Sequence, residues 1–130
     1  LSKKMKTYAV EMTRRRQIAE VYQEQLGAMP QLQLPPHPNA NHRHFDVYQN
    51  YELQADRRNE LQAHLKEHGI GTLVQFGGKA VHQYKPLGFS QTLPKTEAFY
   101  ERCLMLPMNT SLTDEEVDYV CQAVRSFYER

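Results

Sequence analysis

Apolar residues recur along the first part of the chain at Met5, Tyr8, Met12, Ala19, Tyr22 and Leu26. Spacings of three, four or seven predict one amphipathic helix over residues 3–26. Gly27 and Pro30 then stop it. Residues 28–43 lose all period and carry Pro30, Pro35, Pro36 and Pro38 with Asn39 and Asn41. Missing amide donors and fixed φ angles exclude a helix or central strand from this connector. From Phe45 to Leu53 the period becomes two. Phe45, Val47, Tyr51 and Leu53 fall on one face, with Gln49 among them; Asp46, Tyr48, Asn50 and Glu52 fall on the other. That alternation predicts a half-buried strand whose second face meets solvent or a partner domain.

The remaining elements follow from local signals. Asp56 is placed to cap a helix running to His68, with Leu61 and Leu65 as its buried ridge and Gly69 as its left-handed end. Ile70 to Phe76 reads as a strand, followed by a glycine turn and a short helical turn over residues 80–84. Pro86 to Phe89 is a loop. Pro94 opens another helix, with Glu97 near its N-terminus and Phe99, Tyr100 and Cys103 on its apolar side. Leu104-Met105-Leu106 is a short buried strand ended by Pro107. Thr113 and Glu116 form a capping box, and Val117, Val120, Cys121, Val124 and Phe127 are the core stripe of a last helix. The fold class expected is α+β: a small, mainly antiparallel sheet from residues 44–54, 70–76 and 103–107, covered by helices. One unit of residues 1–130 is expected: a lead-in helix (1–27), a proline-rich connector (28–43) and an α+β core (44–130).

Composition narrows the class. The 130 residues are 40% hydrophobic and 24% charged, with a formal net charge of +1. Such a chain buries a real core, and near-neutral charge argues against nucleic acid as a partner. No apolar run approaches the roughly 20 residues of a membrane span, and the N-terminus lacks a signal core. The expectation is a cytoplasmic, non-membrane protein. The chain opens on Leu1 rather than methionine, so a piece of a longer protein is expected. Cys103 and Cys121 both fall in predicted helices; reduced buried thiols are the plainer reading and a disulfide the alternative.

Candidate chemistry concentrates at Gly69 to His82, where glycines meet a lysine and a histidine. Gly77-Gly78-Lys79 invites comparison with a phosphate loop, but Thr72 stands where that motif needs its first glycine and Ala80 follows the lysine. A tight turn is the plain alternative to a close approach to an anion, which Lys79 would meet. His82, among Lys79, Gln83 and Lys85, is a candidate functional imidazole or a surface histidine. His37, His42 and His44 lack supporting cysteines or carboxylates, so no metal site is expected. Asp114, Glu115 and Glu116 read as helix-start residues rather than an acid/base pair. Arg14-Arg15-Arg16 reads as a solvated basic face, with phosphate contact or a subunit interface as alternatives.

Several segments, in order, carry a resemblance: Arg15 to Tyr22, Val47 to Leu53, Arg57 to Leu61, Leu65 to Thr72, Leu93 to Glu97, Leu104 to Met108 and Leu112 to Val120. Together they resemble the C-terminal small domain of the DegT/DnrJ/StrS family of sugar-nucleotide aminotransferases. The resemblance implies the aspartate-aminotransferase-like fold type I and pyridoxal phosphate as cofactor. It implies transfer of an amino group, usually from glutamate, to a nucleotide-linked keto sugar in polysaccharide or deoxysugar biosynthesis. A homodimer with shared active sites is implied as well. The larger N-terminal domain that holds the cofactor and the Schiff-base lysine is not in these residues, so this piece is expected to bind no cofactor, to be inactive alone and, with apolar surface left on its first helix, to self-associate. Family members commonly show His-Tyr, a proline and a further histidine lining the sugar-nucleotide pocket after the Gly-Ile-Gly-Thr stretch. Phe76 matches the aromatic and His82 the later histidine. Gln75 replaces the first histidine, and the longer Gly77-Gly78-Lys79-Ala80 replaces the proline link. The resemblance thus implies substrate-binding roles for Gln75, Phe76, Lys79 and His82, with no catalytic or cofactor-binding residue. Lys79 does not match the Schiff-base lysine. A stand-alone interaction or regulatory module descended from this domain is the alternative.

Overall fold

The computed structural model describes residues 2–40 and 43–129. Its elements run α1 (Ser2–Leu26), β1 (Leu32–Gln33), β2 (Tyr51–Ala55), α2 (Arg58–Glu67), α3 (Pro94–Arg102), β3 (Cys103–Leu106) and α4 (Asp114–Tyr128). The strands form an antiparallel sheet in the order β1-β2-β3, so the α+β expectation holds. Tyr51, Leu53 and Ala55 point to one face, where α1, α2 and α4 close the core with Ile18, Tyr22, Leu61, Leu65, Val117, Cys121 and Val124. Tyr22 packs on Tyr51 with ring centroids 4.8 Å apart, and its hydroxyl donates to Pro107 O at 2.7 Å. Glu52 and Gln54 face the opposite way and are half-buried.

The helical stripes place as expected at their cores. In α1 the buried residues are Ile18, Ala19, Tyr22 and Leu26, while Met5 and Tyr8 on the same stripe are exposed. In α4 all five stripe residues are buried, and the Thr113–Glu116 box closes with Glu116 N donating to Thr113 Oγ1 at 3.1 Å and Thr113 N to Glu116 Oε2 at 2.8 Å. Gly69, at φ 73°, ends α2 as the left-handed residue. Ile70 N then returns to Leu65 O at 2.9 Å, and Gly69 N to Lys66 O at 3.0 Å, satisfying carbonyls the helix leaves open.

Several expectations are corrected. The strand expected over residues 44–54 begins only at Tyr51. Asp46 Oδ1 accepts Tyr48 N at 2.7 Å and Tyr48 turns left-handed at φ 48°, which reverses the alternation: Tyr48 is 2% exposed and Phe45 is 67% exposed. The strand expected over 70–76 contracts to a single antiparallel bridge between Leu73 and Met105, because the chain turns at Gln75. The connector holds no helix or central strand, as expected; it supplies a two-residue edge strand, β1, whose pairing to Gln54 and Ala55 needs no proline amide. Asp56 does not cap α2; its carboxylate pairs with Arg102 at 2.9 Å, and Arg57 in the left-handed region precedes the helix. Cys103 opens β3 rather than lying in a helix, and both cysteines are free and buried. Asn41 and His42, read as connector and as part of a histidine cluster, lie outside the described residues.

The basic run is a clasp, not a solvated face. Arg14 pairs with Asp114 at 2.7 Å. Arg15 Nη1 donates to Gln49 O and Met108 O at 2.9 Å and to Tyr48 O at 3.3 Å. Arg16 donates to Asp46 O and Pro38 O at 2.8 Å, with its guanidinium 4.2 Å over the Phe45 ring. Prolines remove donors but leave carbonyls, and these side chains take them up: Gln23 bonds Pro35 O, and Tyr48 Oη bonds Pro36 O at 2.7 Å. One helix thereby gathers the connector, the 45–50 turn and the loop before α4.

Candidate functional site

The segment from Leu73 to Leu93 carries the chemistry read from the sequence. After the Leu73 bridge, the backbone makes a tight turn across Gln75–Gly78 in which Phe76, Gly77 and Gly78 have φ of 49°, 64° and 75°. Glycine adopts these angles without cost; phenylalanine does not. Gly78 is also fixed by space, since a Cβ there would lie 3.1 Å from Arg58 Nη2. That guanidinium is anchored in turn, with Nη1 donating to Cys103 O at 2.8 Å. A short 3-10 turn at Val81–Gln83 falls within the helical turn expected over 80–84, and a second follows at Lys85–Leu87.

The four candidate residues face different surroundings. Gln75 is half-buried over the polar face of the sheet; with its amide nitrogen turned inward it donates to Glu52 Oε1 at 3.1 Å and Oε2 at 3.2 Å. Burial holds the Glu52 carboxyl above the ordinary carboxylate range, and the Cys103 thiol beside it draws it partly back. Burial likewise pushes the Cys103 thiol up. Phe76 is 63% exposed, and its carbonyl accepts the Tyr84 hydroxyl at 2.8 Å. Lys79 is exposed and forms no ion pair among the described residues. The His82 side chain is 9% exposed, with Nε2 2.8 Å from Glu97 Oε1. Glu97 Oε1 also accepts Leu93 N at 2.9 Å. The His82 bond, then the Leu93 amide, holds the Glu97 carboxyl below its ordinary value.

His82 forms one wall of an open depression of about 470 Å³ completed by Val81, Phe89, Leu93, Thr96 and Tyr100. Gln75, Phe76 and Lys79 are not in that lining; Gln75 belongs to the sheet side of the turn. Glu52, Tyr84 and Glu97 are the partners that the sequence reading did not assign to these residues. Glu97 also lies in the first turn of α3, where its charge suits the helix start. Tyr84 and Glu52 left no sequence signal as partners, because their contacts join residues 8 and 23 positions apart.

Pyridoxal phosphate would need a lysine for covalent attachment and cationic or amide donors at its phosphate. The depression beside His82 is lined by Ala80, Val81, His82, Phe89, Gln91, Leu93, Thr96 and Tyr100. With neither lysine nor arginine, this lining does not fit the cofactor. No group of three or more metal-ligating side chains is assembled among the described residues; His37 instead accepts the Asn39 amide at Nδ1, 3.0 Å away. No helix among the described residues is long and apolar enough to cross a membrane.

Three comparisons bear on this arrangement. The DegT/DnrJ/EryC1/StrS aminotransferase family model matches residues 1–125. A pleiotropic regulatory protein of Geobacillus stearothermophilus is 36% identical over 87 residues, covering 65% of this chain and 23% of that protein. The aminotransferase TlmJ of Streptoalloteichus hindustanus superimposes with a TM-score of 0.87 at 27% identity, over 98% of this chain and 34% of TlmJ. A Streptococcus pneumoniae protein assigned as a sugar aminotransferase, in its PLP-form, gives 0.81 at 26% identity, over 96% of this chain and 33% of that one. The chain thus spans about a third of the solved proteins it matches and less of the regulatory relative.

Proposed function

Because the chain belongs to the DegT/DnrJ/EryC1/StrS aminotransferase family, a family dependent on pyridoxal phosphate, we propose that it is the C-terminal part of an enzyme that transfers an amino group, from glutamate, to a nucleotide-linked keto sugar. The observation that carries this is the family match over residues 1–125. In this reading the cofactor and its lysine belong to the rest of the whole protein, a homodimer of the cytoplasm serving polysaccharide or deoxysugar synthesis. The 130 residues alone carry out no transfer.

The chain's own residues supply binding and orientation in this proposal. Phe76 offers an open ring face to the sugar or base, and Lys79 a mobile cation to the diphosphate. Glu97 holds His82 by Nε2; with that nitrogen as donor, a neutral ring keeps Nδ1 as an acceptor for a sugar hydroxyl. Gln75, turned to Glu52, sets the height of the turn rather than reaching across the depression. These roles predict weaker sugar binding, not lost cofactor chemistry, on substitution.

The experiment uses the whole protein with L-glutamate and a panel of nucleotide-linked keto sugars, reading amino-sugar product by mass. The proposal expects product with at least one of them and a KM raised by His82→Ala. Transfer confined to common 2-oxo acids would overturn it. A second reading, an interaction or regulatory module, is favoured by the name of the Geobacillus stearothermophilus relative. A reading frame that opens beside Leu1 would support that reading, whereas a large domain encoded upstream supports the enzyme.

A further inference from the structure

Phe76 combines two properties that rarely coincide. Its backbone is left-handed, at φ 49° and ψ 33°, a conformation unfavourable for an aromatic L-residue. Yet the residue is 63% exposed, so burial does not compensate. Among the described residues, Tyr48 and Arg57 are the other non-glycine residues at positive φ. Tyr48 is buried in the core, and the Arg57 guanidinium sits 4.8 Å over the Phe127 ring. Strain at an exposed residue persists only where the surroundings over-determine it, and such strain concentrates at recognition sites.

The surroundings do so from both sides. Before Phe76, Gln75, with its amide nitrogen turned inward, donates to both carboxylate oxygens of Glu52 on β2. At Phe76 itself the carbonyl takes two donors, the Tyr84 hydroxyl at 2.8 Å and Lys79 N at 3.3 Å. After it, Gly77 N returns to Val74 O at 3.3 Å, and Gly78 is packed against Arg58 and the carbonyl of Tyr100. Only the Tyr84 bond comes from a side chain of the loop that borders the His82 depression.

We propose that Tyr84 is a positioning residue for nucleotide-sugar recognition: its hydroxyl, working against the Glu52 anchor, presets the left-handed turn that presents the Phe76 ring to the ligand. This rests on the reading of Phe76 as a ligand-facing residue. A preset ring spares the ligand the cost of ordering the turn, so the effect of Tyr84 is on binding and passes through Phe76.

The test uses the whole protein with Tyr84→Phe, Phe76→Ala and the double variant. Tyr84→Phe should raise KM for the nucleotide sugar roughly fivefold, the size of one ordinary hydrogen bond, with kcat moving less and the half-reaction with glutamate unchanged. In the Phe76→Ala background the same substitution should add nothing, since coupled residues are not additive. Wild-type KM in Tyr84→Phe, a fully additive double variant, or an equal loss in the glutamate half-reaction would each overturn the proposal. Amide exchange at Lys79 without ligand should rise roughly fivefold in Tyr84→Phe; unchanged exchange overturns the brace whatever the catalysis. A wild-type protein that aminates no nucleotide sugar, with exchange raised in the variant, marks failure of the functional reading instead.

Discussion

Replacing Arg15 by alanine should be among the most damaging single changes outside the apolar core. One guanidinium nitrogen holds three carbonyls, those of Gln49 and Met108 at 2.9 Å and Tyr48 at 3.3 Å. They come from two segments 93 and about 34 residues away, so no neighbour on α1 substitutes. A hydrogen bond to a charged group contributes about 1.5–3 kcal/mol. The Gln49 carbonyl regains water in the variant, so the three do not sum, and the expected loss is about 2–3 kcal/mol. Against a net stability on the order of 5–15 kcal/mol that is a large fraction, and it moves a urea midpoint by roughly 1–2 M. Arg15→Lys keeps the charge but not the planar fork, and about half the loss should remain. Urea unfolding followed by circular dichroism, with exposed Lys66→Ala as the control, reads these differences at a common m-value. If Arg15→Ala falls within about 0.5 kcal/mol of wild type, as an ordinary surface substitution does, the clasp does not hold the fold and the basic run is a solvated face after all.

Other consequences are sharper in sign than in size. Thr113→Ala removes the hydroxyl that accepts Glu116 N and should cost about 1 kcal/mol in thermal unfolding. Gly78→Ala should cost more than 1 kcal/mol, because φ is 75° and the new methyl meets Arg58; a neutral Gly78→Ala would mean the turn is looser than described. The folded carboxyl of Glu52 is raised above its unfolded value near 4.5. Its protonated form is therefore favoured on folding: that contribution is full below pH 4.5 and is lost as pH rises through the raised value. Glu52→Gln should gain stability relative to wild type between pH 4 and pH 7, and a pH-independent difference would refute the burial cause.

The parts of the fold that the sequence made legible are those where one side chain's burial repeats with the element's own period. The α4 stripe from Val117 to Phe127 and the lower half of the α1 stripe are of this kind, and so is the Thr113 box, whose partners lie three residues apart. The unread parts depend on contacts across long separations. Nothing local to Arg14-Arg15-Arg16 indicates carbonyls of Pro38, Asp46 and Met108 as partners. Phe45 to Leu53 has a clean alternation, but a side chain–backbone bond from Asp46 and one left-handed tyrosine reverse it. At the candidate site, the glycines of 77 and 78 announced a turn; the left-handed Phe76 before them did not announce itself, because an aromatic residue is the last expected there. His82 and Glu97 were each visible, and only the folded chain pairs them.

The central claim is that this chain forms part of a sugar-nucleotide aminotransferase whose ligand meets Phe76 and His82. Single turnover of the whole protein tests it most directly. Glutamate is used to convert the bound cofactor to its amino form, a nucleotide-linked keto sugar is added, and recovery of the original cofactor absorbance is timed. The account predicts recovery with the nucleotide sugar, saturating at higher sugar concentration in Phe76→Ala and His82→Ala than in wild type. Recovery with simple 2-oxo acids alone, or identical saturation in all three proteins, would contradict it.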